Sequence, residues 1–123
     1  MSPAPDARRM LGDAGEQAVA EWYGRAGYSV LDRNWRCRDG ELDLVAARAG
    51  VVVFCEVKTR RSTAFGAPAE AVTATKQRRL RALAARWLAA HPDTRARDLR
   101  FDVAAVLAPR GGPPVIEVIE AAF

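Results

Sequence analysis

Two acidic residues and a lysine interrupt an otherwise apolar segment, GELDLVAARAGVVVFCEVKTRR, between Gly40 and Arg61. Asp43 lies in its first apolar run, and Glu56 and Lys58 lie at the end of its second run. Hard divalent cations prefer carboxylate and carbonyl oxygens as ligands. A neighbouring lysine can take a proton or hold a charged phosphate. These residue types therefore indicate metal-assisted chemistry on a phosphate.

The two apolar runs read as strands joined by a tight turn near Ala49-Gly50. A two-residue turn places Arg48 opposite Val51, and continuing that register places Asp43 opposite Glu56. Opposed residues share a face of the sheet, with Cβ atoms about 5 Å apart. The pattern thus predicts two carboxylates at the mouth of a buried sheet.

A divalent ion, Mg²⁺ or Mn²⁺, would serve both carboxylates, and the backbone carbonyl of Val57 is a natural further ligand. The same register places Glu41 opposite Lys58, as its neighbour rather than as a metal ligand. The alternative is a structural ion network of these charges. Burying charges in a strand that is apolar on both faces costs several kcal/mol unless they are paired, which weakens that alternative.

Hydrophobic periodicity predicts a single α/β domain: a mixed five-stranded sheet flanked by helices, in the order α-β-β-β-α-β-β. Residues 1–9 are expected to form a flexible tail, and residues 10–123 the domain. Thr73 is the expected N-cap of the second helix. The predicted helices cover residues 10–26 and 73–90, and the predicted strands cover residues 28–36, 41–47, 51–59, 99–108 and 115–122.

The charge distribution indicates a polyanionic partner. Residues 57–100 contain eleven Lys or Arg and three acids, a net charge of +8, whereas the whole chain has +4 and the remainder therefore −4. Such asymmetry is typical of proteins that bind nucleic acid. The alternative is a solvated basic helix face.

The two cysteines, Cys37 and Cys55, have neither a CxxC spacing nor the pattern of a disulfide framework. The N-terminal residues lack the apolar core of a signal peptide, and no apolar run is long enough for a membrane span. We therefore expect a cytoplasmic location and no membrane partner.

The arrangement of Asp43 and Glu56-Val57-Lys58 resembles the D…ExK signature of the PD-(D/E)xK nucleases, which have the restriction-endonuclease-like fold. An ordered set of segments between Gly12 and Phe123 resembles the YraN family of predicted endonucleases, itself distantly similar to archaeal Holliday-junction resolvases. These segments are GEQAVAEWYGRAGYSVLDRNWR, GELDLVA, FCEVKTR, FGAPAEAVTATKQRRL and RFDVAAV.

The resemblance implies that Asp43 and Glu56 bind the metal, that Lys58 is catalytic, and that Glu16 completes the metal site. For Glu16 the alternative is an acid favoured by the dipole of the first helix. The implied activity is Mg²⁺-dependent cleavage of DNA, in branched or structured form. The alternative is a nucleic-acid-binding module of the same fold that does not cut. A homodimer is expected by analogy with the resolvases alone.

Several basic residues are candidates for contact with the nucleic-acid backbone: Arg60, Arg61, Lys76 and Arg79. Lys76 lies on the apolar stripe near the start of the second helix, where simple snorkelling is the alternative. For Arg79 the alternative is a solvated helix face. Asp102 is expected to be a structural hydrogen-bonding acid, and a single histidine, His91, argues against a zinc or histidine-based hydrolase.

Overall fold

The computed structural model describes residues 5–62 and 72–123. Most of the predicted loop over residues 60–72, and the first four residues of the predicted tail, lie outside these ranges. The elements follow the predicted order: α1 (Pro5–Arg25), β1 (Ser29–Cys37), β2 (Gly40–Arg48), β3 (Val51–Arg60), α2 (Ala74–Ala90), β4 (Asp98–Leu107) and β5 (Val115–Ile119).

The five strands form one sheet in the spatial order β1-β2-β3-β4-β5. Neighbouring strands are antiparallel, except that β3 and β4 are parallel. A parallel pair needs a crossover connection, and α2 lies in the chain between β3 and β4. The predicted mixed five-stranded sheet flanked by helices is confirmed.

Helix α2 closely follows its predicted range, whereas helix α1 begins earlier than predicted. Thr73 is the N-cap of α2, since its hydroxyl accepts a hydrogen bond from the amide of Lys76 at 3.2 Å. Helix α1 begins at Pro5, five residues before the predicted start. Proline suits a first helical position, and the alanine, arginines and methionine that follow are good helix formers. The helix therefore extends into residues assigned to the tail.

Strand β3 is buried on both faces, as its composition predicts. Val53 and Cys55 pack in one core cluster with Val19 and Tyr23 of α1. Val52 and Phe54 pack in a second cluster whose α2 members are Leu80, Leu83, Ala84 and Trp87. Because successive side chains of a strand point to opposite faces, the two helices cover opposite faces of the sheet.

Within residues 5–62 and 72–123, neither helix is long and apolar enough to cross a membrane.

Candidate functional site

The hairpin of β2 and β3 has the predicted turn and register. Ala49 and Gly50 have φ angles of 50° and 82°, the left-handed pair of a two-residue hairpin turn. Backbone pairing runs from Arg48–Val51 to Leu44–Cys55. The even-numbered turn on which the site prediction depends is therefore confirmed.

Beyond Leu44–Cys55 the predicted register does not continue. The ladder stops there, and the Asp43 carboxylate accepts a hydrogen bond from the backbone amide of Val57 at 2.9 Å. In a continued ladder that amide would face a backbone carbonyl of β2. The ladder pairs predicted between Asp43 and Glu56, and between Glu41 and Lys58, are therefore not formed, because a side chain has replaced a backbone acceptor at this point. The Asp43 and Glu56 carboxylates still lie near each other.

Three carboxylates meet at this end of the sheet instead. One oxygen each from Glu16, Glu41 and Asp43 lies within 4.8 Å of the other two. We call these three residues the carboxylate cluster. Glu41 belongs to it, although the sequence suggested a place beside Lys58 rather than among possible metal ligands, and it also pairs with Arg36 at 3.1 Å.

Helix α1 brings Glu16 to the cluster through a close approach to β3. Gly15 is buried, and a Cβ atom placed on it would lie 2.9 Å from Cβ of Thr59 and nearer still to its hydroxyl oxygen. Only glycine lets the helix backbone come so close to Thr59. The next residue, Glu16, is thereby held over the strand end that carries Lys58.

The carboxylate cluster fits a cation. Glu16 has a buried oxygen, Oε2, with no hydrogen-bond partner among the described residues. Burial raises the pKa of Glu16, although a hydrogen bond with Asn34 opposes this. Burial and the nearby Glu56 carboxylate raise the pKa of Asp43 to about 7. A divalent ion would satisfy the unpartnered oxygen and favour the charged form of both acids.

Glu56 lies in a second group with two lysines. Its carboxylate is 3.2 Å from Nζ of Lys76 and 3.5 Å from Nζ of Lys58. Burial and the neighbouring Lys76 lower the pKa of Lys58, which favours its neutral form. Burial alone would lower the pKa of Lys76. The hydrogen bond with Lys58 and the nearby Glu56 carboxylate outweigh burial, so the pKa of Lys76 is raised.

The two groups are adjacent because Asp43 bonds to Val57, which lies between Glu56 and Lys58 in the chain. The structure thus forms two neighbouring groups of charged side chains, joined by this hydrogen bond. One group is the carboxylate cluster. The other consists of Glu56, Lys58 and Lys76. A ligand role for the Val57 carbonyl stays a prediction, since the observed contact is through its amide.

The basic residues predicted to contact nucleic acid lie at this end of the sheet. Arg60 ends β3, and Arg61 donates a hydrogen bond to the carbonyl of Ala108, just beyond β4, at 3.2 Å. Arg79 is exposed on the first half of α2, where its Cδ is 4.0 Å from a Cβ built on Gly40. Contact of these residues with nucleic acid stays a prediction.

Two members of the site were missed from the sequence. Glu41 is a member of the carboxylate cluster. Its position two residues before Asp43 on the same strand was a signal, because such residues lie on the same face of a sheet. Asn34 hydrogen-bonds to Glu16 and has a φ angle of 52°. Asparagine tolerates that left-handed conformation better than most residues, but nothing in the sequence requires it here.

Asp102 has the predicted structural role. It is fully buried and accepts hydrogen bonds from the Tyr23 hydroxyl at 2.6 Å, from the Arg100 guanidinium at 2.9 Å and from the Ala121 amide at 3.0 Å. These contacts tie α1, β4 and the C-terminal segment together. A buried carboxylate with this many donors needs no metal.

A cavity of about 720 Å³ lies at the other end of the sheet, beside the β2–β3 turn and the C-terminal end of α2. Arg48, His91 and Arg95 are among its lining residues. The His91 ring stacks on Trp87 with their centroids 4.0 Å apart. None of the residues of the carboxylate cluster lines this cavity, so the cavity and the candidate site are separate features.

Fold and site together define a small mixed α/β domain with a carboxylate and lysine centre at one end of its sheet. The chain belongs to the Uncharacterised protein family UPF0102, whose model matches residues 15–106. The matched range contains all three residues of the carboxylate cluster and both lysines of the second group.

Relatives from several bacteria cover nearly the whole chain. A UPF0102 protein of Beutenbergia cavernae is 54% identical over 90% of this chain and 93% of its own length. One of Clavibacter michiganensis is 51% identical over 91% of this chain and 94% of its own. A UPF0102 protein of Frankia alni is 50% identical over 95% of this chain and 97% of its own length. The similarity therefore extends over the full domain.

Proposed function

We propose that this protein is a divalent-metal-dependent endonuclease that hydrolyses phosphodiester bonds of DNA. The observation that carries the proposal is the convergence of Glu16, Glu41 and Asp43 beside the strand end that bears Lys58. The resemblance to the PD-(D/E)xK nucleases supports the reaction class. The resemblance to the resolvases supports a branched or structured DNA substrate.

Glu16, Glu41 and Asp43 would hold the metal, because their oxygens already lie close together. The resemblance adds Glu56 and the Val57 carbonyl to this ligand set. A bound Mg²⁺ or Mn²⁺ supplies a Lewis acid that activates water and offsets the charge of the phosphate. The unpartnered Oε2 of Glu16 is the structural feature that such an ion satisfies.

Lys58 would accept the proton of the attacking water as the water oxygen bonds to phosphorus and the leaving oxygen departs. Its lowered pKa suits this role, since only the neutral amine can accept a proton. Lys76 keeps its charge and lies beside Glu56, where it would stabilise the negative phosphate. Arg60, Arg61 and Arg79 would contact the adjoining backbone.

Cleavage assays test the proposal on linear duplex, branched and single-stranded DNA, each with Mg²⁺, with Mn²⁺ and with EDTA. We expect cleavage that requires metal and is lost in Asp43→Ala. Asp93→Ala is the matched control, because it removes an exposed acid beside the cavity at the other end of the sheet. Inactivity on every substrate with both metals, or cleavage by Asp43→Ala, would contradict the proposal.

A second candidate is a nucleic-acid-binding module that does not cut. The observation in its favour is that Glu56 is engaged by two lysines rather than by the carboxylate cluster. This candidate predicts DNA binding without cleavage, unchanged by EDTA and by Glu56→Ala. In the nuclease, Glu56→Ala removes cleavage and weakens the dependence of DNA binding on metal.

A further inference from the structure

Arg36 and Glu41 form an ion pair at the rim of the carboxylate cluster. They are cross-strand partners in the β1–β2 ladder, which places their side chains on the same face of the sheet. Nε of Arg36 donates a hydrogen bond to Oε2 of Glu41 at 3.1 Å. The Arg36 side chain is 77% exposed, so its charge faces solvent beside the candidate site.

This geometry leaves the outer edge of the guanidinium open. Only Nε is engaged, and within the described ranges of the chain the two terminal nitrogens of Arg36 have no protein partner. A guanidinium is planar and carries its donors in a fixed fork, which suits bidentate contact with a phosphate. Glu41 thus holds the guanidinium through Nε and leaves its terminal nitrogens for another partner.

We propose that Arg36 binds a phosphate of the DNA backbone on the β1 side of the centre, and that Glu41 is its positioning residue. This proposal rests on the proposed function. Arg60 lies at the end of β3, on the other side of β2. With neighbouring strands about 4.8 Å apart, Arg36 and Arg60 belong to strands about 10 Å apart that flank Asp43.

Cationic contacts on both sides of Asp43 specify the kind of bond that the site accepts. A backbone held from β1 to β3 continues in both directions from the reacting phosphate. The substrate is therefore an internal phosphodiester, and a free DNA end is not needed for binding.

The test uses a DNA dumbbell, a duplex closed at both ends by loops, so that binding cannot depend on a free end. Its affinity is measured in EDTA over a salt series for wild type, Arg36→Gln and Arg95→Gln. Arg95 is the matched control, since it is an exposed arginine at the opposite end of the sheet. Circular dichroism checks that both variants are folded.

We expect Arg36→Gln to bind more weakly and to lower the slope of log K against log salt by about 0.9, the value for one lost duplex phosphate contact. Arg95→Gln should match wild type. Arg36→Lys should restore the slope but not the full affinity, because an ammonium lacks the planar fork. In a Glu41→Ala background, Arg36→Gln should cost less affinity, since the guanidinium is no longer oriented.

An Arg36→Gln variant with wild-type affinity and slope overturns the proposal, even if wild type cleaves DNA. Equal loss in Arg36→Gln and Arg95→Gln also overturns it, because the effect is then general charge. Additive effects of Glu41→Ala and Arg36→Gln overturn the positioning role. If wild type binds no DNA either with metal or in EDTA, both this proposal and the proposed function fail, whereas cleavage that survives Asp43→Ala contradicts the proposed function alone.

Discussion

The carboxylate of Asp43 accepts a hydrogen bond from the backbone amide of Val57 at 2.9 Å, at the point where the β2–β3 ladder stops. One carboxylate oxygen thus replaces a backbone carbonyl as the acceptor of a strand amide. The second oxygen leaves Asp43 able to take part in a cation site. Asp43 therefore has a structural contact in addition to its proposed role as a metal ligand, and different substitutions separate the two.

Asp43→Asn and Asp43→Ala should have the same effect on cleavage but different effects on stability. Both remove the negative charge, so both should abolish metal-dependent cleavage. Asparagine keeps an oxygen that accepts the Val57 amide, whereas alanine leaves that amide without its partner. We expect Asp43→Ala to be less stable than Asp43→Asn by about 1–2 kcal/mol in urea unfolding with EDTA. Equal stability of the two variants would show that the hydrogen bond contributes nothing.

The raised pKa of Asp43 predicts how stability depends on pH without metal. The folded protein holds the Asp43 proton up to a pKa of about 7, whereas the ordinary value is 3.8. Between these values the folded state binds more protons than the unfolded state, so stability falls as pH rises and levels off above about 7. The charged form of Asp43 therefore destabilises the metal-free folded protein most at high pH. Because a cation favours this charged form, metal binding should stabilise the protein most at the same pH.

Thermal unfolding of wild type and Asp43→Asn in EDTA isolates this effect, because other titrating groups largely cancel in the difference. The Tm of Asp43→Asn minus that of wild type should increase from pH 5 to pH 8. Added Mg²⁺ should raise the Tm of wild type and reduce the difference. A Tm difference that is constant across this range would mean that Asp43 titrates normally.

The sequence predicted those parts of the site that depend on local periodicity. Alternation within β3, together with the turn at Ala49-Gly50, was sufficient to derive the register as far as Leu44–Cys55. The derived ladder does not extend to Asp43, because the Asp43 side chain bonds to a strand amide and such a contact follows no periodic rule. The register alone could not show where the ladder ends.

The position of α1 on the sheet also could not be predicted from hydrophobic periodicity. The amphipathic pattern of α1 predicts which helix face is buried. The distance of Glu16 from the sheet depends on the contact between Gly15 and Thr59, which are 44 residues apart in the chain. Such a contact depends on the packed tertiary structure. The resemblance to known nucleases indicated Glu16, while Glu41, which no motif singled out, came from the structure.

Gly15→Ala should therefore be strongly destabilising, although alanine is the better helix former. Its methyl group would overlap Thr59, so α1 must move away from β3 and carry Glu16 with it. Gly24→Ala is the control, since it lies in the same helix with no atom within 4 Å of the new methyl group. We expect Gly24→Ala to stabilise the protein by about 0.5–1 kcal/mol, and Gly15→Ala to destabilise it by about 1–3 kcal/mol.

Urea unfolding of the two variants measures this difference, and calorimetry with Mn²⁺ measures metal binding. Gly15→Ala should bind Mn²⁺ more weakly than wild type, whereas Gly24→Ala should bind it equally well. Equal stability of the two variants would mean that α1 does not depend on the close approach to Thr59.

Substitutions of Lys58 distinguish a proton acceptor from a simple positive charge. Burial and the neighbouring Lys76 lower the pKa of Lys58, which favours the neutral form that a proton acceptor needs. Arginine keeps a positive charge at all relevant pH values and cannot accept a proton. If Lys58 is the general base, Lys58→Arg and Lys58→Ala should both lower kcat by about 10²–10⁴-fold while DNA binding persists. Near-normal activity of Lys58→Arg would instead make Lys58 an electrostatic residue.

Lys76→Ala provides an independent check on the same role. Removing the neighbouring positive charge should raise the pKa of Lys58, so a higher pH is needed to populate its neutral form. The acidic limb of the profile of kcat against pH should therefore move to higher pH in Lys76→Ala. Loss of a phosphate contact alone would weaken substrate binding and leave that limb in place. A shifted limb in Lys76→Ala, together with an inactive Lys58→Arg, would identify Lys58 as the group that accepts the proton.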